Sequence, residues 1–167
     1  HGSSCYGINF ATGTGDANAT GMCPNREQGI FCWYTQSTTF GGAQTRLAMN
    51  TQLVDPLGNL RGHYQTSSVG NPQITTYSTI SAETDNYLFL VDLLSCQSQS
   101  NTGNMTSRPE AWAKNIVSVG GITMNETLVW TNHTSSSASF GPASDARVKP
   151  DLAHSYGNMP KRGLAFM

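Results

Sequence analysis

The feature that most limits the fold of this chain is a set of short runs that are apolar on consecutive residues. Residues 29–34 (Gly-Ile-Phe-Cys-Trp-Tyr), 87–94 (Tyr-Leu-Phe-Leu-Val-Asp-Leu-Leu) and 116–119 (Ile-Val-Ser-Val) are the clearest. A strand with one wet face alternates apolar and polar side chains, so a run that is apolar throughout needs cover on both faces. Residues 63–69 and, more weakly, 128–130 are further strand candidates. Between the runs the period changes. Ala43, Leu47, Thr51 and Val54 recur at helical spacing, as do Ile74, Tyr77, Ile80 and Thr84. Asp55-Pro56 ends the first of these patterns, and residues 1–10 read as a short helix before a Gly/Thr/Asn-rich loop at 11–19. Strands alternating with helices predict an α/β unit with a mostly parallel sheet covered by helices.

Length and composition fit one such unit. A chain of 167 residues makes one domain or part of a larger one. Only 11% of residues are charged and the net charge is −1. That argues against the basic footprint of a nucleic-acid binder and the charge density of a disordered tail. No apolar run reaches the roughly 18 residues of a membrane helix. Cys5, Cys23, Cys32 and Cys96 contain no CxxC pair. Finger-type metal spacing is thus absent, and the cysteines fit either up to two disulfides, in any of three pairings, or buried thiols. Glycosylation sequons begin at Asn18, Asn104, Asn125 and Asn132, a faint sign of secretion in a chain rich in Ser and Thr. The sequence opens at His1 without a signal peptide and stops at Met167 in mid-pattern, so it reads as an internal piece.

His1, His63, His133 and His154 have no partner motif beside them. The order of motifs gives His1 more meaning. His1-Gly-Ser opens the first predicted helix, and Gly21-Met-Cys-Pro follows the loop behind it. Gln65-Thr-Ser-Ser-Val-Gly ends a predicted strand, and Ser98-Gln-Ser-Asn-Thr-Gly follows the longest apolar run. Ala113-Lys-Asn-Ile-Val-Ser-Val-Gly comes next, then Gly141-Pro142 with Asp145, Arg147 and Lys149-Pro-Asp. In this order they resemble the subtilisin-like serine proteases, from the family's HG(T/S) histidine motif to just before its GTSxA(S/T)P serine motif. The most specific likenesses are to the family's AKNVIxVGA strand and its GPxxDGRIKPD stretch. Residues 35–62 and 158–167 match nothing in that pattern.

The resemblance implies an incomplete three-layer α/β peptidase domain over residues 1–167, from a secreted endopeptidase that cleaves peptide or protein substrates with a Ser-His-Asp triad. His1 would then be the general base, a role suited to an imidazole because its pKa lies near working pH. Asn101 would donate its amide N–H to the oxyanion of the tetrahedral intermediate. Ser68, Val69 and Gly70 would line the S1 pocket and offer backbone groups to an extended substrate. No cofactor is implied. Calcium often stabilises such proteins, but no acidic cluster here has calcium-loop spacing, so no metal ligands are assigned. Neither a nucleic-acid nor a membrane partner is expected.

By the same resemblance the catalytic aspartate would precede residue 1 and the nucleophilic serine would follow residue 167. The chain by itself is therefore expected to be inactive, with apolar sheet faces exposed. Asp145, Arg147 and Lys149 are expected to form a surface ion pair without a catalytic role. Cys5-Tyr6, the run Gln97-Ser-Gln-Ser in place of the usual small residues, and residues 152–157 in place of VAPG depart from the pattern. They support an alternative, a catalytically inactive subtilase-like binding or scaffolding module. A metal- or carbohydrate-binding domain ranks below both, because the Cys, His and Trp residues lack ligand spacing.

Overall fold

The computed structural model of the chain describes residues 2–25, 39–40, 44–123, 129–135 and 137–155. The chain divides into two compact units, His1–Trp33 with Met159–Met167, and Tyr34–Asn158. The first unit contains helix α1, Gly2–Phe10, where residues 1–10 were expected to form a short helix. Its last turn stacks Tyr6 on Phe10, edge to face, with ring centroids 5.1 Å apart. The chain then turns back, and the N–H groups of Gly21, Met22 and Cys23 donate to the carbonyls of Ala11, Ile8 and Asn9. Gly21 is required there, because a Cβ would lie 2.7 Å from the Ala11 nitrogen.

The second unit is the α/β fold that the alternating pattern predicts. A short antiparallel pair, β1 (Thr39–Phe40) and β2 (Gln44–Thr45), leads into α2 (Arg46–Val54). Thr45 caps α2, its hydroxyl accepting from Ala48 N–H at 3.2 Å. There follow β3 (Tyr64–Ser67), α3 (Thr79–Val91), β4 (Leu94–Ser98), β5 (Val117–Ile122) and β6 (Leu152–Ser155). The last four strands form one parallel sheet in the order β3-β4-β5-β6. Helix α3 is the crossover between its first two strands, as parallel pairing demands. Leu53, Tyr87, Leu88, Trp112 and Ile116 are buried in the core. The indole N–H of Trp112 is satisfied by the Ile74 carbonyl at 2.8 Å.

The longest apolar run is not the strand that it resembles. Tyr87 to Val91 form the last turns of α3, and the strand starts at Leu94. A short apolar run fits a buried helix as well as a buried strand, and here the helical period wins. Ser81, Thr84, Tyr87 and Leu88 are the buried positions of α3, so the 3.6-residue stripe runs straight through. Asp92, left-handed at φ 50°, ends the helix. Ile74, which is bridged to Ser107, and Tyr77 both lie outside it. Strand β6 was hidden behind Lys149-Pro-Asp, a sequence that signals a turn. Trp130–Asn132 is a single 3-10 turn where a weak strand was expected, and Leu128 and the run 29–34 lie outside the described residues.

Pairing register sorts the sheet into two unlike faces. Ser95, Gln97 and Ser118 point to a buried face. Tyr64, Leu94, Cys96, Val117, Val119 and Leu152 share the other by their register. On that face Leu94 is 57% and Leu152 62% exposed.

Candidate functional site

Strands β3 and β4 end together, since Ser67 is paired with Gln97. Residues 68–70 and 99–101 therefore leave the sheet side by side, at the carboxyl ends of parallel strands. In open α/β sheets this edge is where ligands bind. Gln97 ties the two exits together, its buried amide donating to the Val69 carbonyl at 3.0 Å. Ser68 and Gly70 are half-buried, while Val69 is exposed. Of the sequence-predicted site residues, Ser68, Val69, Gly70 and Asn101 are thus brought to one edge. His1 lies outside the described residues.

Asn101 stands on a loop that is pinned on both flanks. Before it, Gln99 N–H donates to the Val119 carbonyl, and the Ser107 hydroxyl donates to the Gln99 carbonyl. The Gln73 amide reaches Ser100 Oγ at 2.9 Å, and Ser139 N–H donates to the Ser100 carbonyl at 2.9 Å. After it, Thr102 N–H donates to Ser139 Oγ at 3.1 Å, and Gly103 N–H to the Ser137 carbonyl at 2.9 Å. Asn101 itself is exposed, and its side chain engages none of the described residues. Ser100 holds φ at 111°, a conformation that strains any residue with a Cβ by about 1–3 kcal/mol and persists only where the surroundings enforce it. The clamped neighbours do so here. The result is a fixed backbone that presents a free carboxamide to solvent.

The turn at Gly70 is held by charge. Glu110, only 2% exposed, accepts from Arg46 at 2.6 Å and from the Asn71 side chain at 2.8 Å. Its oxygens also accept from Asn71 N–H, at 3.1 and 3.2 Å. From the other side Arg108 donates to the Gly70 carbonyl at 2.7 Å. A Cβ on Gly70 would lie 2.6 Å from Glu110 Oε2 and 2.9 Å from Arg108 Cδ, so glycine fits best between the two side chains. Arg46, Arg108 and Glu110 were missed in the sequence. The one available signal was a pair of charges, Arg108-Pro-Glu110, opening an Ala-Trp-Ala stretch in a chain poor in charge.

Residues 141–151 make several structural contacts, and the expected ion pair is only partly right. Arg147 does pair with Asp145 at 2.8 Å. It also donates to the Trp112 carbonyl and lies 4.6 Å from the centre of the Tyr77 ring. Lys149 is not on the surface. It is 6% exposed, and its ammonium donates to the Ile116 carbonyl at 3.0 Å and to Asp151 at 2.7 Å. Asp151 in turn accepts from Ser118 N–H at 2.7 Å and from its hydroxyl at 3.0 Å, which locks β6 to β5. Burial works against the charge on Asp151, but hydrogen bonds from Lys149 and from Ser118 N–H outweigh it and hold the carboxyl below its ordinary value.

Among the described residues no three His, Cys, Asp or Glu side chains gather as a metal site would require. Cys96 is a free thiol on β4, its pKa pushed up by burial. No helix among these residues is long and apolar enough to cross a membrane. No family model matches the chain, and no curated protein matches it.

Proposed function

We propose that this chain is the part of a subtilisin-like, secreted serine endopeptidase that carries the general base His1 and the oxyanion donor Asn101. One observation supports the reading above the others: adjacent parallel strands deliver residues 68–70 and Asn101 to a single sheet edge. Ser100, one of the residues that stand in place of the family's usual small ones, takes a positive φ, the conformation a glycine there would serve.

In this reading a substrate strand lies along residues 68–70, with its scissile carbonyl toward Asn101. As the serine attacks, the carbonyl oxygen gains charge and the Asn101 amide donates to it. Because the loop is clamped in advance, that donor needs little reorganisation when charge develops, and such donors contribute most in this state. His1 would take the proton of the serine hydroxyl and return it to the leaving amine.

Extending the reading frame outward from both ends tests the proposal. It expects an aspartate motif before His1 and GTSxA(S/T)P after Met167. A frame with neither motif overturns it and leaves the inactive binding or scaffolding module.

A further inference from the structure

We infer that Arg108 reads an acidic side chain on the peptide held along residues 68–70, so that this edge selects acidic substrates. The inference deepens the proposal above and rests on its peptide-strand reading. Among the described residues, charge around the Gly70 turn does not balance. Two guanidiniums, Arg46 and Arg108, face one carboxylate, Glu110, and that carboxylate is committed to Arg46 and to Asn71. Arg108 forms no ion pair with any described residue. Its Nη1 donates to the carbonyls of Gly70 and Asn71, at 2.7 and 3.3 Å. Its Nε is buried without an acceptor among the described residues, although most buried donors in folded proteins have one.

The position of this surplus charge decides its use. A carbonyl oxygen has two lone pairs, and Arg108 occupies one on Gly70. A peptide N–H that pairs with the Gly70 carbonyl takes the other, so the peptide passes beside the guanidinium. A carboxylate accepts a charge-assisted hydrogen bond from the remaining N–H groups of the guanidinium, whereas a carboxamide accepts a weaker one and an ammonium is repelled.

The test uses fluorescein-labelled, end-blocked penta-alanine peptides with one aspartate placed at each position in turn, each paired with its asparagine counterpart. Binding to the protein in its complete natural reading frame, made non-hydrolysing by His1→Ala, is read by fluorescence anisotropy. The best aspartate peptide should bind roughly tenfold tighter than its asparagine twin, as a charge-assisted hydrogen bond predicts. Arg108→Gln should erase that preference, and Arg108→Lys should keep part of it. Binding of every twin pair with equal affinity overturns the role of Arg108 and spares the peptide-strand reading. Binding of none of the peptides overturns both. Should Arg108→Gln fail to fold, the Arg108→Lys protein decides: an aspartate preference as large as that of the parent overturns the inference, and a reduced one upholds it.

Discussion

The loop that carries Asn101 and the turn at Gly70 leave neighbouring strands at one sheet edge, yet opposite kinds of chemistry hold them. Around Asn101 the braces are neutral: hydroxyls of Ser107 and Ser139, the Gln73 amide and backbone groups. Around Gly70 they are ionic and deeply buried, with Glu110 between Arg46 and the Asn71 amide. Many neutral bonds of modest individual strength fix the loop, and losing one leaves the rest in place. The ionic turn depends on a single carboxylate, and removing one member of a buried pair strands the other. At this edge, robustness and stiffness therefore reside in different segments.

The largest expected effect tests the ionic turn. Glu110→Ala should destabilise the protein by about 3–5 kcal/mol, because it removes the buried carboxylate that accepts from Arg46 and from the Asn71 backbone and side chain. Urea unfolding measures this, and a loss under 1 kcal/mol would break the contrast between the two segments. Next in size is Ser139→Ala, which removes the acceptor of Thr102 N–H and should cost about 1–2 kcal/mol. Hydrogen exchange should then rise in residues 100–104 while the Gly70 turn stays protected. If both segments loosen together, they form one cooperative unit and the distinction fails.

A smaller effect has the opposite sign. Ser100→Gly relieves a positive φ and should stabilise the fold by up to about 1 kcal/mol, seen as a higher Tm. An unchanged or lower Tm would mean that the Gln73 bond to Ser100 Oγ outweighs the strain. The smallest effect comes from acid. Asp151 titrates below its ordinary value in the folded chain, so between the two values the unfolded chain binds more protons. Its stabilisation is complete above the ordinary value and is lost as pH falls through the folded one. Exchange should rise first at the β5–β6 pairing, whereas the hydroxyl-braced loop, which has no titrating brace, should hold.

Legibility in the sequence followed the range of the interactions. Helix α2 was readable because its period and its stop at Asp55-Pro56 are local. The boundary between α3 and β4 was not, since the apolar run suits both states and only the buried stripe through Thr84, Tyr87 and Leu88 decides it. Strand β6 exists because Lys149 and Asp151 are drawn onto Ile116 and Ser118, contacts across 33 residues. Asn101 could be singled out from the order of motifs, but its rigidity could not. The ionic turn was hidden most completely, because Arg46 and Glu110 meet across 64 residues and nothing near either one announces the other.

The most direct test of the central claim is peptide hydrolysis by the protein in its complete natural reading frame, with and without Asn101→Ala. If Asn101 is an oxyanion donor, kcat should fall by roughly 10²–10³-fold with little change in KM. Turnover that survives the substitution unchanged would contradict the account and remove Asn101 from the chemistry.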